Sequence, residues 1–302
     1  MGNKEAFFYS RFLFWGFGLS LIINVAGTGF WISELLGAVL SFLILALVKK
    51  TNNALWFKRA TGFIFAFLAT IIIANLGGTM YLKQTPNVLL VSIPLICGFI
   101  VGATRETPFK KTIFILFVYS LFMFFASSGI LANHVNLENL LPQIYDIKGV
   151  LLGAVIFILT SVTPILCLND YRDKKSVLLN YATSVLTVLV MSFLVVSVLG
   201  AKEAVLYRYP EFVLLKRIKI YEFFSNVENL FVIMIVTDFI STIATGFRNM
   251  KLEGKATPYI PLVLVIILAT IACNHTKIMT TLYWYYPILL FLLLIPTFFP
   301  KK

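Results

Sequence analysis

The chain has 302 residues, of which 60% are hydrophobic and only 13% charged, about half the charged share of an ordinary soluble domain. That balance excludes a water-soluble fold and leaves no stretch polar enough for a separate soluble domain. The net charge of +12 therefore reads as a membrane-topology signal and not as a nucleic-acid footprint.

Taken in order, apolar runs of roughly 20 residues, each able to cross about 30 Å of hydrocarbon, fall at 7–25, 30–48, 60–82, 86–104, 112–132, 149–168, 177–200, 230–247, 258–273 and 282–299. The first lacks a small-residue cleavage site after it and is expected to be a retained helix. Only Ala26-Gly27-Thr28-Gly29 joins it to the second. The expectation is an all-α integral membrane protein with ten spans in a single domain, 1–302. Alternate connections, counted from the N-terminus and including Arg11, carry seventeen of the 25 basic residues; the opposite set carries eight, five of them within 201–229. The excess of Lys and Arg on one side places both termini in the cytoplasm.

Segment 201–229 spaces Phe212, Leu215, Ile218, Phe223 and Val227 among charged residues, a helical period with one apolar face. An amphipathic helix is expected there, lying in the lipid interface, packed over the outer mouth, or serving a partner.

Two kinds of position stand out inside the spans. The first is a pair of interruptions. Gly16-Phe17-Gly18 lies within the first span, with Thr28 just beyond it, and Thr160-Ser161-Val162-Thr163-Pro164 lies within the sixth. Proline removes a backbone donor and clashes with the preceding turn, and freed polar groups are tolerated at membrane depth only against protein or a watery cavity. Breaks at matching places in two halves, about 7–132 and 149–299, point to an inverted-repeat transporter with its site between the broken helices. The alternative at Pro164 is an ordinary kink. The ligand-binding candidates are Gly16, Phe17, Gly18, Thr28, Thr160, Ser161, Thr163 and Pro164.

The second is the intramembrane carboxylates. Asp238 shares a helix face with Ser241 and Thr245 by spacing, with Thr242 adjacent. Such a stripe could couple to an ion or proton, or tie helices together through hydrogen bonds. Glu34 lies near the outer end of the second span, where headgroup water is within reach. Cys97, Cys167 and Cys273 form no CxxC pair, and His134 and His275 have no ligand partners nearby in sequence, so no metal site is expected. No phosphate-binding GxxxxGK[ST] loop, HExxH or Ser/His/Asp pattern is present, so neither an ATP-driven pump nor an enzyme is expected, and no cofactor.

Several phrases, in order, carry a resemblance: Phe30-Trp31-Ile32-Ser33 with Leu36-Gly37; Thr85-Pro86 before Val88–Pro94; Asn139-Leu140-Leu141-Pro142 before Gly149; and Tyr209-Pro210 leading to Phe223 and Glu228. Across nearly its whole length the chain resembles the B subunit of spore germination receptors, the endospore germination permease family of the amino acid/polyamine/organocation superfamily. The resemblance implies a leucine-transporter-like 5+5 inverted repeat with discontinuous first and sixth helices around a small-molecule site. It also implies A- and C-type receptor subunits as partners, a nutrient ligand such as an amino acid, and the inner spore membrane or cell membrane as location. The chain departs from the family pattern at Ser161-Val162-Thr163-Pro164, where a Gly-Glu pair would stand, and in a shortened segment before Trp31. A proton-coupled amino acid permease acting alone and a scaffold with a degenerate pocket are the other two readings.

Overall fold

Apolar sequence with Gly and Pro confined to a few points favours helix wherever water cannot satisfy the backbone, because a helix closes its own hydrogen bonds. The computed structural model describes residues 4–48, 54–80, 84–140, 146–168, 173–217, 228–250 and 259–298. Every regular element among them is helical. In chain order these are α1 (Glu5–Tyr9), α2 (Leu19–Ala26), α3 (Phe30–Leu47), α4 (Leu55–Met80), α5 (Asn87–Ala103), α6 (Glu106–Ala132), α7 (Ile147–Leu168), α8 (Lys174–Leu199), α9 (Ala201–Ala204), α10 (Pro210–Arg217), α11 (Glu228–Asn249), α12 (Tyr259–Asn274) and α13 (Thr276–Phe298). Short 3₁₀ turns stand at Gly27–Gly29 and Leu137–Leu140.

Among the described residues, six helical stretches are long and apolar enough to cross a membrane: Glu5–Leu47, Leu55–Thr79, Glu106–Ala132, Ile147–Leu168, Lys174–Leu199 and Thr276–Thr297. The outer surface supports the same conclusion. Ile115, Phe122 and Phe125 on α6, Val263 and Ile267 on α12, and Ile288 and Phe291 on α13 are all exposed. A soluble protein does not present an apolar surface that continuous. The chain is a multi-pass helical membrane protein.

The core gathers around the N-terminal segment. Phe7, Phe8, Phe12, Phe14 and Phe17 are fully buried, and α1 and α2 pack against α7, α8 and α11. Close helix approach elsewhere comes from small residues, as expected where lipid offers no hydrophobic drive for helix association. One close crossing pairs Gly62 of α4 with Gly246 of α11. A Cβ on Gly246 would stand 2.6 Å from the Gly62 carbonyl oxygen, and one on Gly62 2.7 Å from that of Gly246.

Three expectations are corrected. First, α7 runs unbroken from Ile147 to Leu168 with Pro164 inside it. The proline forfeits one backbone bond, but residues 159–168 are all buried, and packing holds the helix on course. Second, Arg11 is no solvent-facing topology charge; it lies in the turn after α1 with its side chain wholly buried. Third, the described part of segment 201–229 is not a lipid-surface helix: Tyr209, Pro210, Glu211, Phe212 and Leu214 are buried, so of the three alternatives the packed one holds for 209–214. Ile218, Phe223 and Val227 lie outside the described residues.

The Gly62–Gly246 contact sets a test. Gly246→Ala forces α4 and α11 apart, and overpacking of this kind costs about 1–3 kcal/mol. The expected outcome is a lowered thermal unfolding midpoint in lipid nanodiscs, with an exposed-site control such as Ile115→Leu unchanged.

Candidate functional site

The site is built on one interruption. Between α1 and α2 the chain leaves helical geometry at Trp15 (φ −70°, ψ 110°) and Gly16 (φ 85°, ψ −13°). The positive φ suits glycine, which lacks the Cβ that makes this region costly. There is no room for a Cβ either, since one on Gly16 would collide with the ring of Tyr209. The first expected break is therefore present, and it bares backbone groups deep in the bundle.

Two buried carboxylates meet the break, Asp238 through side chains and Glu211 through the Gly16 backbone. On the α1 side, Arg11 pairs with Asp238 of α11 at 2.6 Å, both side chains fully buried. The Trp15 indole N–H donates to the other Asp238 oxygen at 2.8 Å. Arg11 also donates to Ser120 of α6 and to Thr187 of α8 at 3.1 Å, and its guanidinium lies 3.9 Å from the centre of the Phe7 ring. Ser10 continues the network to Ser184 at 2.6 Å. One charge pair thus fixes three helices around the approach to the break.

At the break itself, the Gly16 backbone N–H donates to Glu211 Oε1 at 3.1 Å. Glu211 comes from α10, outside the spanning helices, and its Oε2 has no partner. Burial pushes its carboxyl up to about 8, outweighing the backbone N–H groups of Glu211 and Gly16 that favour the ionised form. Its neighbour Tyr209 donates to Asn75 of α4 at 2.7 Å, which seats the Tyr-Pro-Glu turn against the break. Beside this turn is a hollow of about 210 Å³ lined by Asn24, Val205, Tyr207, Arg208, Thr280 and Tyr283. Arg208 holds the Met279 carbonyl at 3.1 Å, while its buried Nε is unpartnered.

The sequence-derived residues fall into three groups. Gly16, Phe17, Gly18 and Thr160 come together: a Cβ on Gly18 would lie 3.1 Å from Thr160 Cγ2, the Phe17 ring stacks near Tyr286 at 5.5 Å, and Thr160 shares a 3.0 Å hydrogen bond with the Tyr286 hydroxyl. Ser161 turns elsewhere, towards Ser41 at 3.3 Å and Tyr181 at 3.4 Å. Thr163 and Pro164 are buried, with the Thr163 hydroxyl unpartnered, and Thr28 sits in the turn before α3. The Asp238 stripe does not act as one cluster. Ser241, Thr242 and Thr245 each donate back to the carbonyl four residues earlier, a common fate of hydroxyls in membrane helices, and the carboxylate instead faces Arg11.

Sequence reasoning did not single out Arg11, Trp15, Glu211 or Arg208. Arg11 was legible in principle, as a charge only four residues into an apolar run. Glu211 was not, because nothing in a polar loop announces that it will fold inward. Compared with known proteins, the chain matches no family model and no curated protein.

Removing one member of a buried pair leaves the other charge uncompensated, at a cost of about 3–5 kcal/mol. Asp238→Ala should lower stability to that extent in SDS-unfolding titrations, and the double replacement Arg11→Met with Asp238→Leu should recover most of the loss. Glu211 adds a pH effect. A carboxyl whose folded value lies above its unfolded 4.5 contributes stability below 4.5 that disappears as pH rises through about 8. The melting midpoint of the wild type should therefore fall relative to that of Glu211→Gln across this window.

Proposed function

We propose that the chain is the membrane subunit of a nutrient-sensing receptor of the spore germinant type, with a transporter-like pocket for an amino acid or similar small nutrient. In this reading the spans number ten, arranged as a 5+5 inverted repeat. The first helix is broken and the sixth, α7, supplies an unbroken wall. The partners are A- and C-type receptor subunits, and both termini face the cytoplasm.

The observation that carries the proposal is the Gly16 N–H held by Glu211. A backbone donor bared by a helix break is a carboxylate site, and here a carboxylate of the chain's own occupies it. An amino acid's carboxylate presents the same acceptor oxygens as the Glu211 carboxyl, and unlike it is fully ionised at neutral pH, so ligand binding would displace the Tyr209–Glu211 turn. The adjacent hollow, with Arg208 in its wall, suits a small acid on its way in. Movement of the turn would carry α10 with it and reach whatever subunit packs on that face. This is a displacement switch: the ligand's differential affinity for the open form supplies the free energy.

A scaffold with a degenerate pocket is the second reading, favoured by the way Tyr209, Glu211 and Tyr286 fill the space beside Gly16–Gly18.

One experiment separates the two. Bind labelled L-amino acids to the purified protein in nanodiscs, using wild type and Glu211→Ala, and in parallel disrupt the gene in its host and score nutrient-triggered germination. The receptor predicts saturable binding, tightened about tenfold (~1.4 kcal/mol) once the internal competitor is removed, and a lost response to that same nutrient. No binding by either protein, together with a changed germination response, would establish the scaffold; no binding and no change would remove both.

A further inference from the structure

A second cavity lies away from the helix break, between α3 and α8, and encloses about 470 Å³. Trp31 and Leu35 of α3 form one wall, Leu189, Val190 and Phe193 of α8 the other, and Leu140 lies across one end. Trp31, Leu35 and Phe193 are 37–49% exposed on the lipid-facing surface, so the cavity opens sideways to the bilayer.

Among these apolar walls stands one ionisable group. Glu34 is 1% exposed, lines the cavity and has an Oε1 atom without a hydrogen-bond partner. The sequence expectation that Glu34 reaches headgroup water is thereby corrected. Ser192 of α8 is its polar neighbour, and among the described residues no cation pairs with it. A buried acid without a partner charge is held as the neutral carboxyl, ready to give its proton to a base.

We propose that this cavity is a binding site for a membrane-partitioned primary amine with a single apolar tail, its ammonium held by the Glu34 carboxylate. The volume lies within the range of small-molecule pockets, which combine apolar walls with a few placed polar groups. A neutral amine arriving from the bilayer takes the proton from the Glu34 carboxyl. One O–H bond breaks, one N–H bond forms, and the pair carries no net charge into the apolar surroundings. A metal ion is not suited to a single carboxylate among hydrocarbon walls. A fatty acid would set two carboxyl groups together. An aminophospholipid headgroup would bring a phosphate against walls with no cation to meet it. The site is independent of the nutrient pocket and stands whether or not that reading does.

The test uses the full-length protein in phosphatidylcholine nanodiscs. Dicyclohexylcarbodiimide, an apolar reagent for carboxyl groups in membrane interiors, is mapped to Glu34 by mass spectrometry. Octylamine should protect Glu34 saturably, whereas octanol, octanoate and ethanolamine should not. Labelled octylamine should bind the wild type at least tenfold more tightly than Glu34→Gln, and more tightly than Leu189→Trp, which fills the cavity and keeps the acid. The protection assay in wild-type protein decides the matter if a variant fails to fold. Equal protection by octanol, no protection at all, or unchanged binding by Glu34→Gln would overturn the proposal; protection by phosphatidylethanolamine discs alone would overturn the single-tail assignment.

Discussion

The whole arrangement depends on a single interrupted stretch of backbone. Where α1 stops and α2 has not begun, the chain leaves helical geometry at Trp15 and Gly16, so that groups here take partners from outside their own helix. Water cannot supply those partners at this depth, so protein must. Asp238 accepts from the Trp15 indole N–H and Glu211 from the Gly16 backbone N–H. The first is itself held by a buried arginine, and the second is carried in by α10.

These two attachments differ in kind. The Arg11–Asp238 pair is tied to Ser120, Thr187 and Trp15 by several hydrogen bonds on three helices, and a pair so enclosed resists rearrangement because parting it strands both charges. Glu211 has one bond to the break and one idle oxygen, on a short helix outside the spanning set. If the molecule has a moving part, the weaker attachment is where physics would place it. The stronger one then acts as the anvil: it fixes the first helix so that displacement of the turn is transmitted and not absorbed.

The two halves of the expected symmetry were met unequally. Gly16 needs a positive φ and has a tyrosine ring against it, so the break there is over-determined. Pro164 removes only one donor, while the surrounding residues of α7 are packed on every side. A proline in a buried membrane helix is compatible with continuity when neighbouring helices hold the two arms in line. Gly-rich and Pro-containing interruptions therefore carry different information: the first tells where the chain can turn, the second only where a bond is missing.

By itself the sequence determined what the bilayer demands. The length and apolarity of the runs, the helical class, and the break at Gly16–Gly18 were legible because each depends on local composition and on a residue without a Cβ. Tertiary packing alone decided which charges are buried together. Arg11 and Asp238 are 227 residues apart, and Glu211 reaches Gly16 across 195. The burial of Glu34 also depends on where α8 lies, and no local pattern encodes that. Charge pairing in an apolar interior is a property of three-dimensional neighbours, since a carboxylate's partner is fixed by which helices cross beside it and not by the residues along its own.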